Sequence, residues 1–572
     1  MHPDWSRLAA AGRWRLPALL IPISVVGCVI AVLASSASPA STVDTIVPTG
    51  HSRVSAAAAP PQWISCPACA PSSSAPSSTS STSSTSLTSS TSSTTSVAVT
   101  DAPGRVPLVP ASSGGTPPCP VLLGGCLEVD ATSTGPPLTH VASGFLHGTD
   151  VANTALVGPL APASWRLNVL VGPNGPDTTD FDAARRLGAK TITVLVSDAW
   201  YWASSDGCGL PSPVCGARPP WDDLAAYGGW LTSYVRQVEA TGRRPDYWEV
   251  QNEPDQATMP GAYYDAADAA RVTPTEELAQ FDTAYHAIKA ADPTAKVVGP
   301  SLGTFRSAPF GRELDMATFL AFSAANGLRW DAISWHELSS SGDPTPGEGI
   351  AADVSTVRRL LANYPTLGSP AIAVTEYGSV YSRLLPGWIV GDMAALESAG
   401  VAFASRMCAP TATDPGGGSE CDGPPGTLDG LLLGTGQPTA AYWAYAAYAA
   451  LHGVQLDTFS PSPTISILGV RDPAGAVHLL IGRHVTCTRV VNADCPFPTP
   501  SPPPVAIPLA MTLPWSGPTH VTVRRIPNRR GVVAGLDMLA TTRVTVIDGV
   551  LSLVLPPLGD GEALVVDVQP VG

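Results

Sequence analysis

From about Val141 to Leu451, short apolar runs alternate with longer segments whose apolar residues recur at helical spacing. These are the two periodicities of strands and of helices packed on them. Eight runs read as strands: Ser143 to His147, Trp165 to Leu170, Thr191 to Val196, Asp246 to Gln251, Lys296 to Gly299, Ala332 to Trp335, Ala371 to Thr375 and Val401 to Ala404. Helices are predicted at Asp180 to Leu187, Trp221 to Thr241, Thr273 to about Ala291, Asp315 to Ala325, Ala352 to Asn363, Ile389 to Ser398 and Thr439 to Leu451. The third of these opens on Thr273-Pro274-Thr275-Glu276, a capping box with proline at the first helical position. Eight strands alternating with helices predict an α/β chain with a TIM (β/α)8 barrel. A doubly wound open sheet is the alternative. It calls for a Gly-rich phosphate turn after the first strand, and Gly144-Phe145-Leu146-His147-Gly148 is not one.

After Gly453 the pattern changes to short apolar runs separated by Pro, Gly and Asp: Ser466 to Val470, Ala476 to Ile481, His520 to Arg525, Arg543 to Ile547 and Ala563 to Val568. This predicts a C-terminal β-sandwich, to which Leu127 to Ala131 can add a strand. Residues from about Ser41 to Pro118 are rich in Ser, Thr, Pro and Ala, too polar to offset their chain entropy by burial, so a disordered Ser/Thr-rich stalk is expected. The division that follows is an N-terminal signal peptide or membrane anchor (1–40), a linker (41–126), the barrel (127–453) and the sandwich (454–572).

Export is expected on two grounds. Arg7, Arg13 and Arg15 precede an apolar run from Leu16 to Ala34, followed by small residues through Ala40. Cleavage near Ala37 or Ala40 gives a secreted protein; retention of the long run gives a single-span anchor at the cell surface. Beyond Cys28 the cysteines fall into close pairs, Cys66/Cys69, Cys119/Cys126, Cys208/Cys215, Cys408/Cys421 and Cys487/Cys495. Such local pairs suggest disulfides in an oxidising compartment. The net charge of −15, with lysine only at 190, 289 and 296, argues against nucleic acid as a partner and confines membrane association to the N-terminal segment. The oligomeric state is not legible.

The candidate chemistry lies in Trp248-Glu249-Val250-Gln251-Asn252-Glu253-Pro254 and Ala373-Val374-Thr375-Glu376-Tyr377-Gly378. Each ends a predicted strand, the fourth and the seventh, and a barrel carries its active site at the C-terminal ends of its strands. Glu253 and Glu376 therefore rim one cavity. Two such carboxyls are what sugar cleavage with retention requires, one to give and take a proton and one to attack the anomeric carbon. For that outcome they should stand about 5–5.5 Å apart. No His-Glu-x-x-His occurs, so neither a metal nor another cofactor is expected.

At these residues the chain resembles the clan of retaining glycoside hydrolases with a (β/α)8 barrel and glutamates after strands 4 and 7, and within it family 39, the β-xylosidase-like family. The resemblance covers about Val141 to Leu451 and, more loosely, the sandwich. It rests on Trp248 to Pro254, on Ile333-Ser334-Trp335-His336, on Val374-Thr375-Glu376-Tyr377, and on Pro438 to Leu451 with Tyr442-Trp443-Ala444-Tyr445. It implies that Glu253 is the general acid/base, Glu376 the nucleophile, Asn252 a hydrogen-bond partner of the sugar 2-hydroxyl and His336 a contact of sugar or nucleophile. Arg166 becomes a candidate to hold Glu376 ionised. His147 at the end of the first strand, Tyr377 beside the nucleophile, and Trp200 with Tyr201 and Trp202 after the third strand join the sugar-binding candidates. The alternatives are a structural histidine at 147 and simple rim packing for the aromatics.

The chain departs from the family where Leu338 follows the strand-6 histidine by two residues, a place often held by tyrosine, and where Ala404-Ser405-Arg406-Met407 ends strand 8 without an aromatic. Both positions lie near the reacting sugar, so xyloside specificity is not implied. The roles imply a Glu253 pKa raised by burial and by Glu376. The expected function is an extracellular retaining glycosidase acting on a plant or bacterial wall polysaccharide or oligosaccharide. The alternatives are a non-catalytic carbohydrate-binding or wall-associated protein and a transglycosylase with the same glutamate pair. Sugar, linkage and exo or endo action depend on loops the sequence does not shape.

Overall fold

The computed structural model describes residues 125–146, 149–167, 177–197, 199–200, 219–256, 273–303, 305, 314–338, 348–378, 382–407, 426–485 and 502–571, with the short strand β1 (Val109–Pro110). The predicted N-terminal segment and most of the stalk, His147, Tyr201, Trp202 and every cysteine except Cys126 fall outside these residues.

Eight parallel strands run in chain order around a nearly closed barrel: β3 (Gly144–Leu146), β4 (Ser164–Leu167), β5 (Thr191–Leu195), β6 (Tyr247–Glu249), β7 (Val297–Leu302), β8 (Ala332–Leu338), β9 (Ala371–Gly378) and β10 (Phe403–Arg406). Each matches a predicted strand within a few residues. The helices between them are α1 (Thr179–Arg186), α2 (Leu224–Ala240), α3 (Pro274–Ala291), α4 (Met316–Asn326), α5 (Glu348–Ala362) and α6 (Pro386–Ala399), with α7 (Ala440–Ala449) after the last strand. Thr273 and Glu276 form the reciprocal capping box that opens α3. The first and last strands meet at Gly144, where an added Cβ would lie 1.6 Å from the carbonyl oxygen of Ala404 on β10. Ser164 Oγ donates to that same carbonyl at 2.7 Å. Only glycine permits so close an approach.

The lumen is apolar at the N-terminal ends of the strands, where Val298, Ala332, Ala373 and Phe403 pack together with Tyr247 and Ala371. Toward the C-terminal rim it turns polar, because the strand residues above this plug are Arg166, Glu249, Ser301, Ser334, His336 and Glu376. The register supplies the reason. On β8, Ala332, Ser334 and His336 alternate regularly into the lumen. Between β8 and β9 the pairing runs Trp335 to Val374 and then His336 to Glu376, so Thr375 is skipped. That extra residue flips the parity of β9: Ala373 faces inward below it and Glu376, not Thr375, faces inward above it. A second shift, between Pro300 and Leu302 on β7, leaves Ser301 as the extra residue, and its hydroxyl reaches Glu249 and Ser334.

The remaining strands are β11 (Val454–Gln455), β12 (Asp457–Phe459), β13 (Ile465–Arg471), β14 (Val477–Arg483), β15 (Val505–Thr512), β16 (Gly517–Ile526), β17 (Asp537–Val546), β18 (Val550–Leu558) and β19 (Ala563–Pro570). With β1 and β2 (Leu127–Asp130) they form the second domain, whose sheets have the orders β1-β18-β15-β2-β12 and β11-β13-β14-β19-β16-β17. The strand β2, which precedes the barrel in sequence, lies in this domain between β15 and β12. Leu479, Val521, Leu553 and Val566 belong to the core between the sheets. The barrel core continues across the seam into Leu468, Leu480 and Val565. There Gly387 of α6 sits so tightly on β14 that a Cβ would come within 2.0 Å of the Arg483 carbonyl oxygen.

Candidate active site

Glu253 follows β6 in the left-handed backbone region, at φ 47°, a conformation that costs a non-glycine residue free energy. Its N–H donates to the carbonyl of Ser301 at 3.0 Å, and Ser301 is itself left-handed at φ 57°. The turn thus delivers the Glu253 carboxylate over the barrel mouth. The parity flip on β9 brings Glu376 to the same place from the other side. His336, at the end of β8, lies between them: its Nδ1 is 2.9 Å from Glu253 Oε1 and 3.8 Å from Glu376 Oε2. One oxygen of each carboxylate and a ring nitrogen of His336 all lie within 4.8 Å of one another. This set could take a divalent cation; the guanidinium bound to Glu376 opposes it.

That guanidinium is Arg166, on β4 and buried at 1 % exposure. Its Nη1 donates to Glu376 Oε1 at 2.8 Å and its Nη2 to Asn252 Oδ1 at 2.8 Å. Its Nε and Nη2 form a bidentate pair with Glu249, at 2.6 and 2.9 Å. The sequence-based candidates Glu253, Glu376, Asn252, His336 and Arg166 therefore converge on one cluster. Glu249 belongs to it as well and was not anticipated. A charged residue inside the run Tyr247-Trp248-Glu249-Val250, at a lumen-facing position of a barrel strand, was the available signal.

Two candidates do not join the cluster. Tyr377 points the opposite way from Glu376, as adjacent strand residues must. Its hydroxyl donates to the carbonyl of Ala142 and pairs with Tyr445 of α7 at 2.7 Å, and the side chain is buried in the barrel wall. Its place among the sugar contacts is corrected on that ground. Trp200 is 9 % exposed and packs edge-on against Tyr227 and Trp230 of α2, with ring centroids 5.2 Å away in both cases. Among the described residues its contacts are those of rim packing, the alternative reading for this tryptophan. His147 lies outside the described residues.

The electrostatics differ from the expectation in one respect. Burial pushes the Glu253 pKa up, but the hydrogen bond and charge of His336, helped by Arg166, outweigh it and leave the pKa below the ordinary glutamate value. Burial also raises Glu376; His336 and Arg166 oppose this, the charges of Glu253 and Glu249 add to it, and the net direction is up. Burial lowers the His336 pKa, yet the two glutamates reverse this and leave it raised. These directions favour the proton on His336 over Glu253, across the 2.9 Å hydrogen bond. The reason is that His336 hydrogen-bonds to Glu253 and not to Glu376.

The eight-stranded parallel barrel with an antiparallel sandwich packed on its side is a fold also seen in solved glycoside hydrolases. A protein of Neocallimastix frontalis superposes with a TM-score of 0.59 at 19% identity, covering 78% of this chain and 99% of that one. The GH39 enzyme from Xanthomonas axonopodis pv. citri gives 0.54 at 19% identity, over 78% and 97%. A monomeric β-xylosidase from Caulobacter crescentus CB15 gives 0.54 at 16% identity, over 78% and 100%. No protein-family profile matches the chain, and no curated protein matches it in sequence.

Proposed function

We propose that this protein is an extracellular glycoside hydrolase that cleaves O-glycosidic bonds with retention of configuration, acting on a polysaccharide or oligosaccharide of plant or bacterial walls. The observation that carries the reading is the closeness of Glu253 and Glu376, an oxygen of each within 4.8 Å of the other and of His336. Inverting enzymes keep their carboxyls about 6.5–9.5 Å apart to admit a water, and the nearer approach of these two oxygens supports retention. Export rests on the apolar N-terminal run and the paired cysteines.

In the first half-reaction Glu376 attacks the anomeric carbon. Arg166 holds Oε1, which leaves Oε2 to form the bond. The proton of His336 Nδ1 moves to Glu253 Oε1 and on to the departing glycosidic oxygen, so that the leaving group goes as an alcohol and the imidazole ends neutral. Glycosylation removes the charge of Glu376, and Glu253 is now an ionised base. It takes a proton from water as the water oxygen attacks the anomeric carbon, Glu376 leaves as a carboxylate, and the proton passes from Glu253 Oε1 to His336 Nδ1 to restore the starting state. Asn252, whose Oδ1 accepts from Arg166 Nη2, binds the sugar 2-hydroxyl in this reading. Leu338 and Met407 stand where relatives carry other groups, so the sugar is to be found by survey. A panel of p-nitrophenyl glycosides, with the β-xyloside first because of the Caulobacter neighbour, tests the reading. At least one should be hydrolysed, and proton NMR should show the retained anomer as the first product. An inverted first product, or no turnover on aryl glycosides and wall polysaccharides alike, would count against it.

A further inference from the structure

We propose that Glu249 is a positioning residue that ties the two catalytic glutamates into one rigid frame, clamping Arg166 toward Glu376 and Asn252 and, through Ser301, fixing the left-handed turn that carries Glu253. The inference rests on the retaining glycosidase reading and assigns to that site a residue which itself does not touch the reacting atoms.

Glu249 has no exposed surface. A carboxylate so placed is costly unless it is paired and hydrogen-bonded on both oxygens. Oε2 takes Arg166 Nε at 2.6 Å; Oε1 takes Arg166 Nη2 at 2.9 Å and the hydroxyl of Ser301. The fork-to-fork pair fixes the plane of the guanidinium as well as its position. With the plane fixed, Nη1 can only face Glu376 Oε1, and the second Nη2 proton can only face Asn252 Oδ1. Without Glu249 the fork could close on Glu376 alone and occupy both of its oxygens, including the one needed for attack.

The second arm runs through Ser301. Its hydroxyl bridges Glu249 Oε1 and Ser334 Oγ, the latter at 2.8 Å, and its N–H also reaches Ser334 Oγ, at 3.1 Å. Its carbonyl receives the N–H of Glu253 at 3.0 Å. Two non-glycine departures into the left-handed region, Ser301 and Glu253, joined by one hydrogen bond, persist because this network over-determines them. One carboxylate thus sets the attack geometry of the nucleophile and the aim of the acid. Its charge acts too: Glu249 offsets part of the field of Arg166 at Glu376 and helps to keep that pKa raised.

Three variants test this on the full chain. Glu249→Gln keeps the shape and removes the charge and the bidentate lock. On an aryl glycoside turned over by the wild type, kcat should fall by about 10²-fold, the loss typical of a misplaced catalytic group. KM should change little, and the acid limb of the pH profile should move to lower pH, because Arg166 then acts undiluted on Glu376. Glu249→Asp should restore the acid limb but only part of kcat. Ser301→Ala, which leaves the ion pair intact and tests the second arm if Glu249→Gln does not fold, should lower kcat more for poor leaving groups than for good ones. A purely structural role would leave limb position and leaving-group dependence unmoved, and that result overturns the proposal. Carboxyl carbon NMR titration of Glu376 reads the same pKa change without turnover. An inactive wild type would sink the proposed function alone, while an unshifted Glu376 titration in Glu249→Gln would sink this inference.

Discussion

Glu397 of α6 offers the sharpest stability test, because one buried carboxylate staples three parts of the chain. Oε1 accepts from the N–H of His140 at 2.8 Å and from the hydroxyl of Tyr448 on α7; Oε2 accepts from the N–H and hydroxyl of Thr139, at 3.2 and 3.0 Å, and from Gln455 Nε2 of β11 at 3.0 Å. The staple joins the segment entering the barrel, its last helix and the first strand of the return to the sandwich. In Glu397→Ala the two hydroxyls and the amide can rotate to other partners, but the backbone N–H groups of Thr139 and His140 cannot. A fully buried donor left unmet costs about 1–3 kcal/mol; Thr139 is exposed and His140 half-buried, so the loss should be at most about 2–6 kcal/mol. In Glu397→Gln one oxygen survives, but wherever the amide nitrogen sits it faces one of those N–H groups, for a loss of at most about 1–3 kcal/mol. Taking about 2.1 cal/mol/K per residue over roughly 450 residues that melt together, 1 kcal/mol is worth about 1 °C. Differential scanning calorimetry should therefore show Tm lower by up to about 6 °C for Glu397→Ala and by about half as much for Glu397→Gln. Equal Tm values for wild type and Glu397→Ala would refute the reasoning.

Gly144→Ala should prevent barrel closure and yield insoluble protein, whereas Gly229→Ala, in α2 with nothing within 4 Å of its added Cβ, should be neutral or stabilising by up to about 1 kcal/mol; soluble, cooperative Gly144→Ala would contradict the closure argument. His484 is buried against Trp388, and desolvation pushes its pKa down to about 3 from an unfolded value of 6.5. The unfolded chain therefore binds the extra proton between these values, so stability falls as pH drops below about 6.5, by up to about 1.4 kcal/mol per pH unit from this group. Urea midpoints at pH 7 and pH 5 should show it, and His484→Phe should flatten the dependence; an unchanged slope in that variant would assign the effect elsewhere. For turnover, activity is lost as pH falls through the raised pKa of Glu376, which must be ionised, and as pH rises through the raised pKa of His336, which holds the proton for Glu253. The kcat/KM profile should be a bell whose limbs lie above the ordinary glutamate and histidine values; an acid limb below the glutamate value would be the contrary result.

The barrel was legible because each of its strands is a short apolar run bounded by helical periodicity, and because the glutamates end two of those runs. The sandwich was less so. Strand β15 starts directly after Pro502-Pro503-Pro504 and contains Pro508, and β18 contains Pro556-Pro557, so neither reads as a strand although both pair in one sheet. At the site, residue types were legible and directions were not. Strict alternation from Ala373 sends Thr375 and Tyr377 into the lumen, and only the register shift at Thr375 reverses this for Glu376 and turns Tyr377 into the wall. Glu249 was hidden for a related reason. Its importance comes from a partner on β4, two strands away in the sheet and 83 residues away in sequence. Likewise, which glutamate His336 would hydrogen-bond, and hence where the resting proton lies, depends on the left-handed turn at Glu253, which no local pattern announces.

The central claim is that Glu376 attacks the sugar and Glu253 moves the proton, and azide rescue of the two alanine variants tests it most directly. Glu376→Ala should be inactive, and azide, entering the space left by the nucleophile, should restore partial turnover and give a glycosyl azide of inverted configuration. Glu253→Ala should still form the glycosyl-enzyme from substrates with good leaving groups, and azide should then give the retained glycosyl azide. The opposite pairing of variants and configurations would reverse the roles, and wild-type turnover in both would place the chemistry elsewhere.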